Sequence, residues 1–269
     1  MRRSKVLEKI RAGEVARICA LGHYMPYFPR LAAHFGYDGI WVDGEHRAFD
    51  PREAQALIAF HHLADIDCIW RTATLEKTAL YRFLEEGATA LMIPHVSTVE
   101  KAKMLSDAVK FPPLGDRGID GSGLDSGYYV GSENYVEFVN RETFLVVQIE
   151  TPEAIQNVDK IAAVPAVEVL FLGPGDLSLR LGCGAELDNP QMMKMKELVA
   201  NAAKKHGKAW GQPVSNMKEA KKIREMGGQF IVLGNEFLAV HAHLQSCSAE
   251  LDEALGGNRA RPEVAQIIP

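Results

Sequence analysis

Short apolar runs recur along the chain, and between them lie stretches of helical length with their apolar residues on one face. Eight runs read as strands: 15–20, 39–42, 67–70, 90–93, 144–149, 168–172, 208–212 and 229–233. They are β-branched and aromatic, as expected of strands buried on both faces. They do not follow one another as hairpins. Punctuation supports the alternation. Asp50-Pro51-Arg52-Glu53 supplies an N-cap, a Pro in the first turn and a Glu to close the cap. Ser97-Thr98-Val99-Glu100 reads as a capping box, and Thr151-Pro152 and Asn189-Pro190 as cap-plus-Pro starts. Gly36, Gly87, Gly207 and Gly227-Gly228 fall just before strands, where a helix ends in the left-handed conformation.

Eight strand–helix units with short links predict a single-domain α/β fold, a (β/α)₈ TIM barrel over 1–255 followed by a loosely ordered tail over 256–269. A doubly wound open sheet is the alternative. Against it, no Gly-x-Gly-x-x-Gly follows the first strand. Residues 235–255 read as a long closing helix. The stretch from 111 to 141 breaks the rhythm. It carries Pro112-Pro113 and a Gly-rich run, and long irregular segments in compact domains are lids, binding loops or disorder. Within it, 132–140 reads as a short helix.

Three runs stop at charged residues. The run 144–149 ends in Glu150, 168–172 in Gly173-Pro174-Gly175-Asp176, and 39–42 in Asp43-Gly44-Glu45-His46. In a parallel barrel the strand ends form the rim where chemistry sits. Glu150 and Asp176 close neighbouring strands, so their oxygens can converge on a hard divalent cation. Each can equally cap the helix that follows it. His46 is a candidate base, with a carboxylate nearby to fix its tautomer, or an ordinary loop histidine. Arg71 ends its strand and either stabilises an oxyanion or pairs with Asp43 or Glu45. Gln148 shares a strand face with Glu150. His95 follows Pro94 at another strand end and is a further pocket candidate. No lysine falls within a predicted strand end, which argues against Schiff-base chemistry.

Bulk properties narrow the class. The 269 residues carry 35 acids against 30 bases, so there is no basic footprint for nucleic acid or an anionic membrane. Cys19, Cys68, Cys183 and Cys247 are scattered without paired spacing, as in a reducing cytoplasm. The start, Met1-Arg2-Arg3-Ser4-Lys5, is basic, but the apolar stretch after it is too short for a leader.

Together, Asp43-Gly44-Glu45-His46, Arg71, Pro112-Pro113 with Arg117-Gly118, Gln148-Ile149-Glu150-Thr151 and Gly173-Pro174-Gly175-Asp176-Leu177-Ser178 resemble the HpcH/HpaI aldolase family over roughly residues 5–255. The members it resembles are class II pyruvate aldolases acting on 2-keto-3-deoxy acids and 4-hydroxy-2-oxoheptanedioate. The resemblance implies a carbon–carbon lyase that releases pyruvate and an aldehyde from a 4-hydroxy-2-oxo acid by way of a metal-bound enolate. It implies Mg²⁺, Mn²⁺ or Co²⁺ held by Glu150 and Asp176, with no organic cofactor. His46 paired with Asp43 matches the base, and Arg71 the enolate stabiliser. Gln148 matches a residue beside bound pyruvate, and the backbone at Gly175 and Asp176 a cradle for its carboxylate. It also implies a homo-oligomer, a hexamer, with the last helix packed on a neighbouring subunit.

The chain departs from the family pattern in places. Members often carry an aromatic residue where Ala20 stands and Glu where Arg30 stands. After Arg-Gly they show a basic segment where this chain has Gly123-Leu124-Asp125-Ser126-Gly127-Tyr128. The 119–130 stretch is therefore expected to face the aldehyde half or act as a lid. Asp125 would there repel a carboxylate tail and favour a neutral or hydroxylated aldehyde. Rival readings are an oxaloacetate decarboxylase, a citrate lyase β-type acyl-CoA lyase, and a non-catalytic binding barrel. No basic groove for a CoA nucleotide is visible, and all four residues His46, Arg71, Glu150 and Asp176 are present.

Overall fold

The computed structural model describes residues 2–72, 74–128, 133–186 and 188–256. The strands are β1 (Ala16–Leu21), β2 (Gly39–Asp43), β3 (Asp67–Arg71), β4 (Ala90–Ile93), β5 (Phe144–Ile149), β6 (Val167–Leu172), β7 (Ala209–Pro213) and β8 (Phe230–Asn235). All are parallel, and they close in chain order with β8 returning to β1. Closure excludes the open sheet. The helices are α1 (Lys5–Arg11), α2 (Phe28–His34), α3 (Pro51–Leu63), α4 (Lys77–Glu85), α5 (Val99–Val109), α6 (Tyr135–Glu142), α7 (Pro152–Ala162), α8 (Pro174–Leu181), α9 (Pro190–His206), α10 (Met217–Glu225) and α11 (Glu236–Leu255).

Strand alternation divides the apolar residues into two layers. Ile18, Ile69, Val146, Val169 and Phe230 fill the barrel interior. Cys19, Ile40, Trp70, Leu145 and Leu170 face the helices. Both sets are buried, so no strand has a polar face. This is why the runs are continuous rather than alternating.

The helix starts follow local chemistry. Asp50 and Glu53 form a reciprocal capping box. Thr151 and Asn189 cap α7 and α9, each followed by Pro. At α5 the cap is Thr98, which accepts from the Lys101 N–H at 3.1 Å. Ser97, expected in that role, pairs its hydroxyl with Thr151 instead. The short helix expected from 132 begins at Tyr135; Ser132 lies outside the described residues, as do the tail residues 257–269.

One element was not anticipated. Helix α1 closes the N-terminal end of the barrel, with Val6 and Leu7 buried in the inner layer. Asp67, at the first position of β3, is fully buried and receives the N–H groups of Lys5 and Val6, the Ser4 hydroxyl and the Arg2 guanidinium.

The 111–128 segment is also placed differently from expectation. It runs along α4, with Asp116 paired to Lys77 at the start of that helix and the 123–125 turn packed at its far end, by the N-terminal end of the barrel. Leu124 lies against Gly87, in the link that enters β4, and a Cβ at Gly123 would stand 2.5 Å from the Glu85 carbonyl. Asp125 is held there by Arg117 at 2.9 Å and by the Tyr135 hydroxyl at 2.7 Å. Within the single chain its charge is paired and stands by the far end of α4, not among the strand-end residues as expected.

Helix α11 is the least integrated element, with Glu236 as its one buried residue. Phe237, Leu238, Val240, Leu244 and Leu251 are exposed in the single chain. Among the described residues no helix is long and apolar enough to cross a membrane.

Candidate active site

The structure brings the strand-end residues to one mouth, at the C-terminal ends of β2 to β6. Glu150 directly follows β5 and turns inward, 2 % exposed. It accepts the His95 N–H at 2.7 Å and the Gln148 side-chain amide at 3.1 Å. Burial pushes its carboxyl above the usual glutamate range, and the charges of Asp176 and Glu45 add to that push. Gly173 makes this approach possible: any Cβ there would stand 2.5 Å from Glu150 Oε2. His95 adopts a left-handed backbone, φ 52°, uncommon for a side-chain-bearing residue. That turn aims its N–H at Glu150 and puts its Nδ1 at 3.2 Å from the same carboxylate.

Asp176 lies in the first turn of α8, where Gly173 is the N-cap. The capping alternative therefore does not describe it. Its carboxylate is half exposed and pairs with Arg180 at 2.7 Å, one helical turn on.

Arg71 forms the opposite wall. Its Nη2 is 2.7 Å from Asp43 Oδ1 and its Nη1 2.9 Å from Glu45 Oε2. The guanidinium lies 4.5 Å above the Trp41 ring. Burial works to raise the Asp43 carboxyl, but Arg71 and the N–H groups of His46 and Glu45 outweigh it, so it titrates below the usual range. Gly44 lets this turn fold back, since a Cβ there would meet the Arg71 carbonyl at 2.8 Å.

His46 differs from expectation in its partner. Its backbone N–H binds Asp43 at 3.1 Å, but its imidazole faces Glu45, Nε2 to Oε2 at 3.6 Å. Asp43 spends its carboxylate on Arg71 and on the turn, and the ring is left to Glu45.

The strand ends carry no lysine, as expected, but one reaches this rim from a helix. Lys101 stands one turn into α5, a helix that starts at this rim, and its ammonium reaches back to the Pro94 and His95 carbonyls at 3.0 Å each. Burial lowers its pKa, and Glu150 and Glu45 offset part of that. A rule that inspects only strand ends misses a first-turn helix residue.

Gln148 lies beneath Glu150 as its strand position predicted, and its Oε1 is buried with no partner among the described residues. Among those residues no three His, Cys, Asp or Glu side chains form a metal cage. The acid pair nevertheless fits a hard divalent ion, which is commonly held by one or two carboxylates and completes its shell with water or substrate. Glu150 has the character such an ion needs: a buried carboxylate short of positive charge.

A family model described as HpcH/HpaI aldolase/citrate lyase matches residues 22–242. The chain belongs to this family. It is 31 % identical over 232 residues to a 2-keto-3-deoxy-L-rhamnonate aldolase of Escherichia coli (strain K12), covering 84 % of this chain and 85 % of that protein. The crystal structure of an HpcH/HpaI aldolase from Desulfitobacterium hafniense DCB-2 superposes with a TM-score of 0.86 at 28 % identity, over 92 % of this chain and 96 % of the other. An HpcH/HpaI aldolase/citrate lyase family protein from Burkholderia cenocepacia J2315 gives 0.83 at 25 %, over 92 % and 99 %. Membership places the chain among aldolases and lyases. The geometry shows one more part of the mouth, passed over in the sequence, where His23 and Glu236 meet beyond β1 and β8. The signal was available: His23 follows an apolar run just as His46 does.

Proposed function

We propose that this HpcH/HpaI protein is a metal-dependent aldolase that cleaves a 4-hydroxy-2-oxo acid into pyruvate and an aldehyde. The observation that carries the reading is the pairing at one mouth of a buried, charge-deficient carboxylate, Glu150, with a fixed guanidinium, Arg71. Glu150 and Asp176 would hold the divalent ion, Mg²⁺, Mn²⁺ or Co²⁺. Bound there, it would supply Lewis-acid polarisation of the 2-oxo group.

The remaining work falls to the chain itself. Arg71 is locked by two carboxylates and an indole, so it can meet negative charge developing on the C2 oxygen without reorganising. Gln148 offers its amide from below. The backbone N–H groups at the start of α8, at Gly175 and Asp176, suit the substrate carboxylate. His46, with Glu45 beside its ring, would move a proton to or from C3 of the pyruvate half.

The relatives' name describes a hydroxylated 2-oxo acid whose cleavage between C3 and C4 gives pyruvate and lactaldehyde. A substrate of that class is suggested for this chain by the 31 % identity alone, because Asp125, held away from the mouth, selects neither for nor against it.

Exchange of pyruvate methyl protons with D₂O, followed by NMR, tests the reading. Exchange should need no aldehyde, stop with EDTA and return with Mn²⁺ or Mg²⁺. His46→Ala should slow it by roughly 10²–10⁴-fold, the usual contribution of a positioned base. A pyruvate adduct trapped on Lys101 by borohydride would replace this reading with Schiff-base chemistry.

A further inference from the structure

The mouth continues past His46 to a second histidine. Arg47 donates to the His46 carbonyl at 2.9 Å, and its stem packs over Gly22, where an added Cβ would meet Arg47 Cγ at 3.3 Å. The Gly22 N–H donates to Glu236 Oε1 at 2.8 Å, and His23 Nδ1 lies 2.7 Å from the same oxygen. Arg71, Glu45, His46, Arg47, Glu236 and His23 thus follow one another around the rim from β3 to β1 and β8. The pyruvate half is assigned to the β3, β5 and β6 side. The acceptor half must extend away from it.

The two members of the new pair are unlike. The Glu236 side chain is 6 % exposed and the His23 side chain 55 %. A buried carboxylate on Nδ1 fixes the tautomer and the ring plane. Nε2 has no partner among the described residues. The arrangement is more than an anchor for α11, because the Gly22 N–H already ties Glu236 to β1. An anchor does not call for an imidazole exposed over half its surface. Ala20, the inward residue of β1 level with Trp41, is small and leaves room on this side.

We propose that His23, held by Glu236, binds the acceptor half through Nε2 and recognises a hydroxyl group on the aldehyde. The proposal rests on the aldolase reading above. His23 would touch the substrate, and Glu236 would act through it as a positioning residue.

Two aldehydes that differ by one hydroxyl, lactaldehyde and propanal, test it in the addition direction with pyruvate. His23→Ala should lower kcat/KM for lactaldehyde roughly tenfold, the effect of one lost hydrogen bond. Propanal addition and pyruvate proton exchange should stay within about twofold, as expected when only an acceptor contact is lost. His23→Gln, which still offers a hydrogen-bonding group, should recover part of the loss. Equal losses for both aldehydes, or loss of exchange as well, would show a structural role and overturn the proposal. So would an unchanged lactaldehyde rate, or a loss confined to succinic semialdehyde, which would mark a carboxylate site. If the wild-type protein exchanges no pyruvate protons, the aldolase reading fails and this inference goes with it. The other outcomes leave that reading intact.

Discussion

Asp67 and Glu150 are buried carboxylates at opposite ends of the same barrel. At the N-terminal end Asp67 receives two backbone N–H groups, a hydroxyl and a guanidinium, all delivered by the first turn of α1 and the residues just before it. At the C-terminal end Glu150 receives one N–H and one amide, and burial raises its pKa. One end has its charge satisfied from within the chain. The other keeps an electrostatic deficit that a cation can fill. Stability is invested at one end and reactivity at the other, as expected where function is grafted onto a barrel.

The sharpest way to break this contrast is Asp67→Ala. It takes the buried acceptor away from the Ser4 hydroxyl and the Lys5 and Val6 N–H groups, leaves Arg2 with only Asp65 and Thr89 among the described residues, and should cost about 3–5 kcal/mol. Chemical denaturation measures that cost, and kcat per folded molecule should not change. A large loss of kcat without loss of stability would erase the division between the ends. Next in size is Arg71→Lys, which keeps the charge but loses the planar fork. We expect kcat to fall roughly tenfold to a hundredfold, with KM moving less, because the contact strengthens as charge develops. A raised KM at constant kcat would reduce Arg71 to simple binding.

The smallest expected effect is on stability, at Glu150. Its folded pKa lies above the unfolded value of 4.5, so folding favours the protonated form. Its contribution is therefore most favourable below the unfolded value and is lost as pH rises through the folded one. With chelator present, the wild-type Tm should decline as pH rises above the unfolded value more steeply than that of Glu150→Gln. The variant should be the more stable at the upper end, while losing activity. Parallel Tm profiles would show that Glu150 carries no such strain.

Much of this was legible in the sequence, for a local reason. Two of the eight runs coincide with their strands and six differ by one or two residues at their ends, because burial on both faces writes itself into consecutive residues. Gly36, Gly87, Gly207 and Gly227 take positive φ as the helix-end rule requires. Position at a strand end also brought Glu150, Gln148, Arg71 and Asp43 to one mouth. Partnership was not legible. Whether His46 faces Asp43 or Glu45 depends on side-chain torsions within a turn. That Asp125 lies at the wrong end of the barrel depends on the route of a segment whose glycines leave it free to run either way. Lys101 and Glu236 enter from first turns of helices, where sequence marks a cap but not what the next residues reach.

The plug at the N-terminal end has a consequence for the order of folding. The Val6 N–H meets Asp67 across 61 residues, the Ser4 N–H meets Glu142 across 138, and the Gln229 amide meets the Ile10 carbonyl across 219. Contacts so distant in sequence give nothing back until the intervening chain has been ordered. Helix α1 can therefore dock only after β3, α6 and β8 have come together. Deuterium uptake at the Val6 amide then becomes a clock for the opening of the whole barrel, not for fraying of one short helix.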